Sequence, residues 1–321
     1  MSAKVFLKLV TFYARFTPNY TKIGYFARRL FWGRSKPLDF RGQRWLVTGA
    51  SAGIGKAIMH AAATAGAEVV AVARSQQRLD AAIAELDSSA AARVSTLVAD
   101  MSLQSDTQDL LERLLASGMK FDVLQNNLGI LLPKMTITRE GRETTFVINV
   151  LSHFLLTEGL ADNGAFNDDA IVVNMTSGGM YTVPLGLRAL NTTIAKYYNG
   201  KYSYAHAKRA QVVLTGYWNQ KYGPKGLKFY VTHPGWAKTP GVKKALPVFW
   251  KIQNLILRTP LQGADTALWL CTARPPITEE EVVWFDRAPR STHVYEETKV
   301  PKCTVDELVA YFGDELSKQV S

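Results

Sequence analysis

A chain of 321 residues that is 47% hydrophobic and 20% charged carries enough apolar surface to close a large core, which excludes disorder as its main state. Its net charge of +11 is concentrated: residues 1–37 hold Lys4, Lys8, Arg15, Lys22, Arg28, Arg29, Arg34 and Lys36 and no acid, so the remainder is nearly balanced and no nucleic-acid partner is expected. The two cysteines, Cys271 and Cys303, lack partners at metal-ligand spacing, which excludes a zinc site and a disulfide framework and points to a reducing compartment, while no uninterrupted apolar run approaches the roughly 18 residues of a membrane span.

Residues 1–39 read as a basic amphipathic extension in which Val5, Phe6, Leu7, Val10, Phe12, Tyr13 and Phe16 are interspersed with the cations. That composition fits a helix lying on an anionic membrane surface, an organellar transit segment, or an arm packed on the body of the protein. The cytoplasm is the expected location unless the arm directs the chain elsewhere. From residue 40 to 321 a single domain follows. Short apolar strands at 44–48, 68–73, 94–99, 121–126, 170–176, 227–232 and 282–286 alternate with helical stretches, which implies an α/β fold with a doubly wound parallel sheet of about seven strands.

The first strand runs into Thr48-Gly49-Ala50-Ser51-Ala52-Gly53-Ile54-Gly55, followed by the Ala-rich segment Lys56 to Gly66. A strand, a glycine turn and a helix in that order offer free N–H groups and a positive dipole end to a phosphate, and glycine lets the backbone approach it closely. Gly49, Ser51, Gly53, Ile54 and Gly55 are therefore the candidate phosphate cradle. The second strand ends at Arg74-Ser75, some 19 residues past Gly55. An acid near this point holds the free ribose of NAD, whereas an Arg without an acid accommodates the 2′-phosphate of NADP, so Arg74 favours NADP(H); the alternative is an ordinary surface Arg opening a loop. Asp100, after the third strand, is placed to accept from an adenine amino group. The fourth strand runs into Asn126-Asn127-Leu128-Gly129.

Reduction of a carbonyl needs a proton donor at its oxygen, and a tyrosine serves near neutral pH when a nearby ammonium lowers its pKa of about 10. Tyr-x-x-x-Lys puts both side chains on one helical face. Four such pairs occur: Tyr197/Lys201, Tyr204/Lys208, Tyr217/Lys221 and Tyr295/Lys299. The first spans the turn signal Asn199-Gly200, and the last lies beyond the last strand. Tyr217 lies about 20 Å along the same helix from Tyr204. Tyr204/Lys208 alone starts the helix that follows the strand ending at Ser177, at the carboxyl edge where open α/β sheets bind ligands. Ser177 would polarise the carbonyl and bind the Tyr204 hydroxyl, although a Ser after a strand also serves simply as a turn residue. The unpatterned stretch 178–202 between them is expected to wall the substrate side.

The spacing Thr-Gly-x-x-x-Gly-x-Gly, the Asn-Asn-Leu-Gly segment, Ser177, Tyr204/Lys208 and Pro234-Gly235-Trp236-Ala237-Lys238-Thr239 occur in the order found in short-chain dehydrogenases/reductases, and residues 40–290 resemble that family. The resemblance implies a Rossmann-type fold and a nicotinamide clamp at Pro234 and Thr239. It also implies a supporting role for Asn127 beside the cofactor and a water held for Lys208 by Asn149, which lies in the helical segment Glu143 to Leu160. Lys208 would grip the nicotinamide ribose as well as the phenol. A homo-oligomer is the family's common state. The 27-residue gap between Ser177 and Tyr204 is similar to that of the family's retinol-type reductases and points to a lipophilic carbonyl or alcohol substrate. His233 has no acid or nucleophile at a recognisable spacing and reads as structural. The chain is thus expected to be an NADP(H)-dependent oxidoreductase; a catalytically idle nucleotide-binding module is the rival reading.

Overall fold

In the first strand Trp45 and Val47 point to one face and Leu46 to the other, yet all three are buried, so this strand is covered on both sides. The computed structural model describes residues 15–33, 37–278 and 282–318. Strands β1 (Arg44–Thr48), β2 (Glu68–Ala73), β3 (Val94–Val98), β4 (Phe121–Asn126), β5 (Phe166–Met175), β6 (Lys228–Thr232), β7 (Val282–Phe285) and β8 (Ala288–Ser291) form one sheet in the order β3-β2-β1-β4-β5-β6-β7-β8. The first seven pair in parallel, and β8 runs antiparallel to β7. The doubly wound single domain is as expected, with eight strands instead of about seven. The eighth arises because Asp286 and Arg287 adopt φ of 50° and 59°, a two-residue turn that matches the twist of an antiparallel hairpin. The fifth strand begins at Phe166, earlier than expected, and its pairing with β4 shifts register between Phe121 and Val123.

The helices used below are α1 (Lys22–Arg29), α2 (Gly53–Thr64), α3 (Gln76–Ile83), α4 (Gln104–Ala116), α5 (Ser152–Asp162), α6 (Gly200–Tyr222), α7 (Pro240–Ala245), α8 (Pro247–Gln253), α9 (Pro260–Ala273) and α10 (Val305–Ser317). On one face of the sheet, Ile58 and Met59 of α2, Leu79 of α3 and Ala264 and Leu268 of α9 pack on Val47, Val69 and Val173. On the other face, Leu110 of α4, Leu156 of α5, Leu214 of α6 and Phe312 of α10 pack on Leu46, Val70 and Val172. The helical stretch Thr144–Asp162 is apolar and long enough to cross a membrane by length and composition, but it is mostly buried inside this second layer.

Residues 15–33 lie against the domain instead of extending from it. Phe16 and Tyr20 join a third apolar cluster with Met180, Tyr181 and Phe285. Beneath them Arg258 donates to both carboxylate oxygens of Asp286 at 2.6 and 2.8 Å, and Arg28 donates to the same carboxylate at 2.6 Å. Arg258 also donates to the carbonyls of Thr21 and Asn19. Of the arm residues singled out in the sequence, Lys4, Val5, Phe6, Leu7, Lys8, Val10, Phe12, Tyr13, Arg34 and Lys36 lie outside the described residues.

Candidate active site

The glycine turn is bent by backbone conformations that side chains disfavour: Gly49 and Gly53 have φ of 69° and 57°. A Cβ on Gly55 would collide with the Gly49 carbonyl and the Asn127 side-chain amide, so α2 seats directly on the end of β1. The helix is preceded by Ala52, which has no side chain to cap it, so no side-chain cap takes up the first-turn N–H groups. Ser51 and Ile54 are half-buried at the same turn. Thr48 holds the neighbouring strand: its Oγ1 accepts from the N–H groups of Asn127 and Leu128, both at 3.1 Å, and Asn127 Nδ2 donates to the Thr48 carbonyl at 3.1 Å. Leu128 fits where a smaller residue is usual because its side chain lies over Gly49, which has none, and meets the core.

Thr239 lies on the far side of the turn, its methyl 3.1 Å from where a Gly53 Cβ would stand. Its Oγ1 caps α7 by accepting from Val242 N–H at 3.2 Å. Pro234 opens the same loop after β6, where His233 Nδ1 accepts from Gly235 N–H at 2.7 Å. Arg74 is exposed just past β2, with Ser75 as the N-cap of α3. Asp100 stands past the end of β3, and its Oδ1 accepts from Ser102 N–H at 3.0 Å. All of these residues follow the carboxyl ends of parallel strands, along one edge of the sheet.

Ser177, Tyr204, Lys208 and Asn149 come together on that edge. Ser177 follows β5, and its hydroxyl stands near enough to the Tyr204 phenol to favour the phenolate. Lys208, one turn along α6, holds Nζ 5.6 Å from the centroid of the Tyr204 ring. That ammonium is buried, and it donates to the Met175 carbonyl at 2.8 Å and to Gln211 Oε1 at 3.0 Å. A Cβ on Gly129 would lie 2.9 Å from Asn149 Oδ1 and 3.1 Å from Lys208 Nζ, so the glycine leaves room where β4, α6 and the Asn149 helix converge. Of the competing tyrosines, Tyr197 is in an exposed turn, Tyr217 is near the far end of α6, and Tyr295 follows the last strand.

Asn149 sits in a π-helical turn, Val147–Leu151, that interrupts the helix. Such single wide turns displace a carbonyl from the regular ladder and recur at functional sites. Its Nδ2 donates to the Ile130 and Thr145 carbonyls, each at 2.7 Å, and its Oδ1 accepts from Ile130 N–H at 3.0 Å. Its own carbonyl accepts from Gln211 Nε2 at 2.8 Å. Gln211 therefore links Lys208 to the Asn149 carbonyl through its side chain. The same Nε2 lies 3.1 Å from His153 Nδ1. Gln211 and His153 are the residues the sequence did not point to; the one available signal was the three-residue spacing of Gln211 from Lys208.

The electrostatics depart from expectation. Burial pushes the Tyr204 phenol up from its ordinary value, with the Ser177 hydrogen bond pulling the other way, whereas the sequence argument had Lys208 pulling it down. Burial also brings Lys208 down to about 7, because the charged ammonium is the form that loses solvation. Desolvation is the largest influence on both groups. Within the stretch 178–202, Met180 and Tyr181 pack with Phe16 and Tyr20, Leu185 and Leu190 join the core on the α10 side, and the Tyr198 hydroxyl donates to the Leu132 carbonyl at 2.9 Å.

Among proteins of known family, the profile described as short chain dehydrogenase matches residues 43–188, which ends before Tyr204. Dehydrogenase/reductase SDR family member 12 of Homo sapiens is 34% identical over 288 residues, covering 89% of this chain and 90% of that protein. Retinol dehydrogenase 12 of Bos taurus is 30% identical over 226 residues, covering 70% and 71%. Among solved structures, a short-chain dehydrogenase from Burkholderia cenocepacia in complex with NADP superposes with a TM-score of 0.58 at 23% identity, over 72% of this chain and 91% of that one, which supports the fold alone. The chain belongs to the short-chain dehydrogenase/reductase family of oxidoreductases.

Proposed function

We propose that this chain interconverts a carbonyl and an alcohol with NADP(H), using Tyr204 as the acid and base. The observation that carries the reading is the joining of Ser177, Tyr204 and Lys208 on the strand edge that also bears the glycine turn. The cofactor fits the residues present: the uncapped first turn of α2 suits the pyrophosphate, and Arg74, exposed and without an adjacent acid, suits a 2′-phosphate. Asp100 would accept from the adenine, and Thr239 with Pro234 would border the nicotinamide. When bound, NADP(H) gives or takes the hydride.

In the direction of reduction, the Ser177 hydroxyl donates to the substrate oxygen and polarises it, while Tyr204 passes its proton to the same oxygen as negative charge develops there. A phenol raised by burial is fully protonated at neutral pH, which suits the donor role. Lys208, near half-charged at pH 7, is poised to return a proton to the phenolate, and once protonated it stabilises that phenolate. Gln211 and Asn149 hold the lysine in place. The long segment between Ser177 and Tyr204 follows the residue proposed to hold the reacting oxygen, and a lipophilic substrate, such as the retinol named for one set of relatives, suits a gap of that length.

An NADPH-oxidation screen against aldehydes, ketones, retinoids and steroids tests the reading, with Tyr204→Phe beside the wild type. Turnover that the variant loses while it still binds NADPH supports the proposal. NADPH binding with no turnover of any carbonyl, alike in both proteins, would replace it with the nucleotide-binding module.

A further inference from the structure

The docked arm and the segment after Thr239 form one surface with an unusual composition. Residues 15–33 and 234–264 contain no Asp or Glu. They are laced together, Lys22 N–H donating to the Ile256 carbonyl at 2.9 Å and Trp236 N–H to the Tyr20 carbonyl at 2.8 Å. On α1 and just beyond it, Ile23, Phe26, Leu30 and Phe31 are exposed, the last at 88%; the first three recur at helical spacing. On α8, Val248 and Ile252 are four residues apart and both 71% exposed, and Leu255 follows at 80%. Around them stand Lys22, Arg29, Lys238, Lys243, Lys244 and Lys251, none of which has a carboxylate partner among the described residues. Arg28 and Arg258, by contrast, share the carboxylate of Asp286, which faces inward.

We propose that α1, α8 and their flanks are a docking face for an anionic lipid bilayer. Apolar side chains this exposed are costly in water, and unpaired cations without an acid to repel anions match a negatively charged headgroup layer. The sequence placed a membrane contact in residues 1–37 alone; the structure assigns it to two segments far apart in the chain, of which only α1 belongs to that arm. The face also begins one residue past Thr239, whose methyl borders Gly53, so docking brings the cofactor edge up to the bilayer. This last point rests on the oxidoreductase reading and narrows the substrate to a carbonyl or alcohol that partitions into lipid; bilayer binding itself does not depend on that reading.

The test is flotation of the full chain with vesicles of phosphatidylcholine alone or with about 30% phosphatidylserine, the anionic fraction at which such electrostatic attraction operates. Wild type should float with the phosphatidylserine vesicles and release at high salt. Lys243→Glu with Lys244→Glu should weaken binding by at least about tenfold, since each cation near such a surface contributes several-fold. Val248→Asp with Ile252→Asp should abolish flotation while the affinity for NADPH stays unchanged, which also shows that the variant is folded. Failure of wild type to float overturns the proposal, and so does unchanged flotation of both variants, which would move the contact to residues 1–14. A concentration-dependent mass by light scattering that falls to a monomer in the Val248→Asp, Ile252→Asp variant, without vesicle binding, would make a second copy of the chain the occupant instead. None of these outcomes alters NADPH oxidation with a water-soluble carbonyl, so the two readings fail separately.

Discussion

The Tyr204 cluster and the Arg258–Asp286 junction both bury charge, and they manage it in opposite ways. At Tyr204, among the described residues, no carboxylate meets the buried Lys208, which donates to a carbonyl and an amide oxygen and falls to about 7. At the junction the guanidinium of Arg258 has a two-pronged carboxylate partner, both side chains being 1% exposed. A cation held by neutral oxygens stays able to exchange a proton, whereas one held by a fork-to-fork ion pair is fixed as a strut. The first arrangement suits chemistry. The second fastens the arm, through the Asn19 and Thr21 carbonyls, to the loop after β6 and the hairpin of β7 and β8.

The contrast breaks most sharply at Tyr204. Tyr204→Phe should cut turnover of a confirmed substrate by about 10²–10⁴-fold, the usual contribution of a positioned acid, with NADPH binding kept. Lys208→Ala should damage both. Tyr197→Phe, Tyr217→Phe and Tyr295→Phe should keep substantial activity, and near-normal turnover by Tyr204→Phe in steady-state assays would remove the assignment. At the strut the loss is of stability. Asp286→Asn leaves Arg258 buried without its counter-charge and should cost about 3–5 kcal/mol in denaturant unfolding. Arg28→Ala should cost less, because Arg28 is 23% exposed and Arg258 still holds the carboxylate, although the variant also loses the hydrogen bonds from Arg28 to the Asn19 side chain and carbonyl.

These two regions were unequally legible in the sequence. The glycine turn and the Tyr204/Lys208 pair of the candidate site were legible because their geometry is local: a turn whose glycines carry the backbone conformation, and two side chains one helical turn apart. The strands were legible for the same reason, as short apolar runs. The junction is made by residues 28 to 258 positions apart, and nothing near Arg28, Arg258 or Asp286 marks them as partners. The eighth strand escaped notice because Asp286-Arg287 is not a usual hairpin pair; its left-handed backbone is held by Arg258 on Asp286 and by Asp265 on Arg287, at 2.7 and 2.8 Å. The direction of the Tyr204 shift was misread because counting charges along a helix omits desolvation, which only the packed structure supplies.

Cofactor choice sharpens the comparison with an exposed charge. If Arg74 meets the 2′-phosphate, Arg74→Ala should weaken NADPH binding by roughly 1.5–3 kcal/mol, the range of a charge-assisted contact, and leave NADH nearly unchanged. Fluorescence titration with both nucleotides measures this. Equal losses would return Arg74 to an ordinary surface position.

The smallest expected effect compares the regions through their histidines. His153, beside Gln211, and His233, packed against a tilted Tyr20 ring and edge-on to Phe285, are both buried, and burial brings each down to about 3 from an ordinary value near 6.5. A base whose folded value is depressed binds fewer protons folded than unfolded between those limits, so its contribution to stability is present above about pH 6.5 and is lost as pH falls toward 3. Between pH 7 and pH 5 each histidine should withdraw about 2 kcal/mol, from 1.36 kcal/mol for each unit of differential titration. His233→Phe forfeits the hydrogen bond to Gly235 N–H and should be less stable at pH 7 by about 1 kcal/mol. Because the phenyl ring cannot be protonated, the variant should then lose about 2 kcal/mol less than wild type on going to pH 5, which brings the two unfolding curves together and past one another. Parallel urea curves at pH 7 and pH 5 with an unchanged gap would mean that His233 is not held neutral by its surroundings.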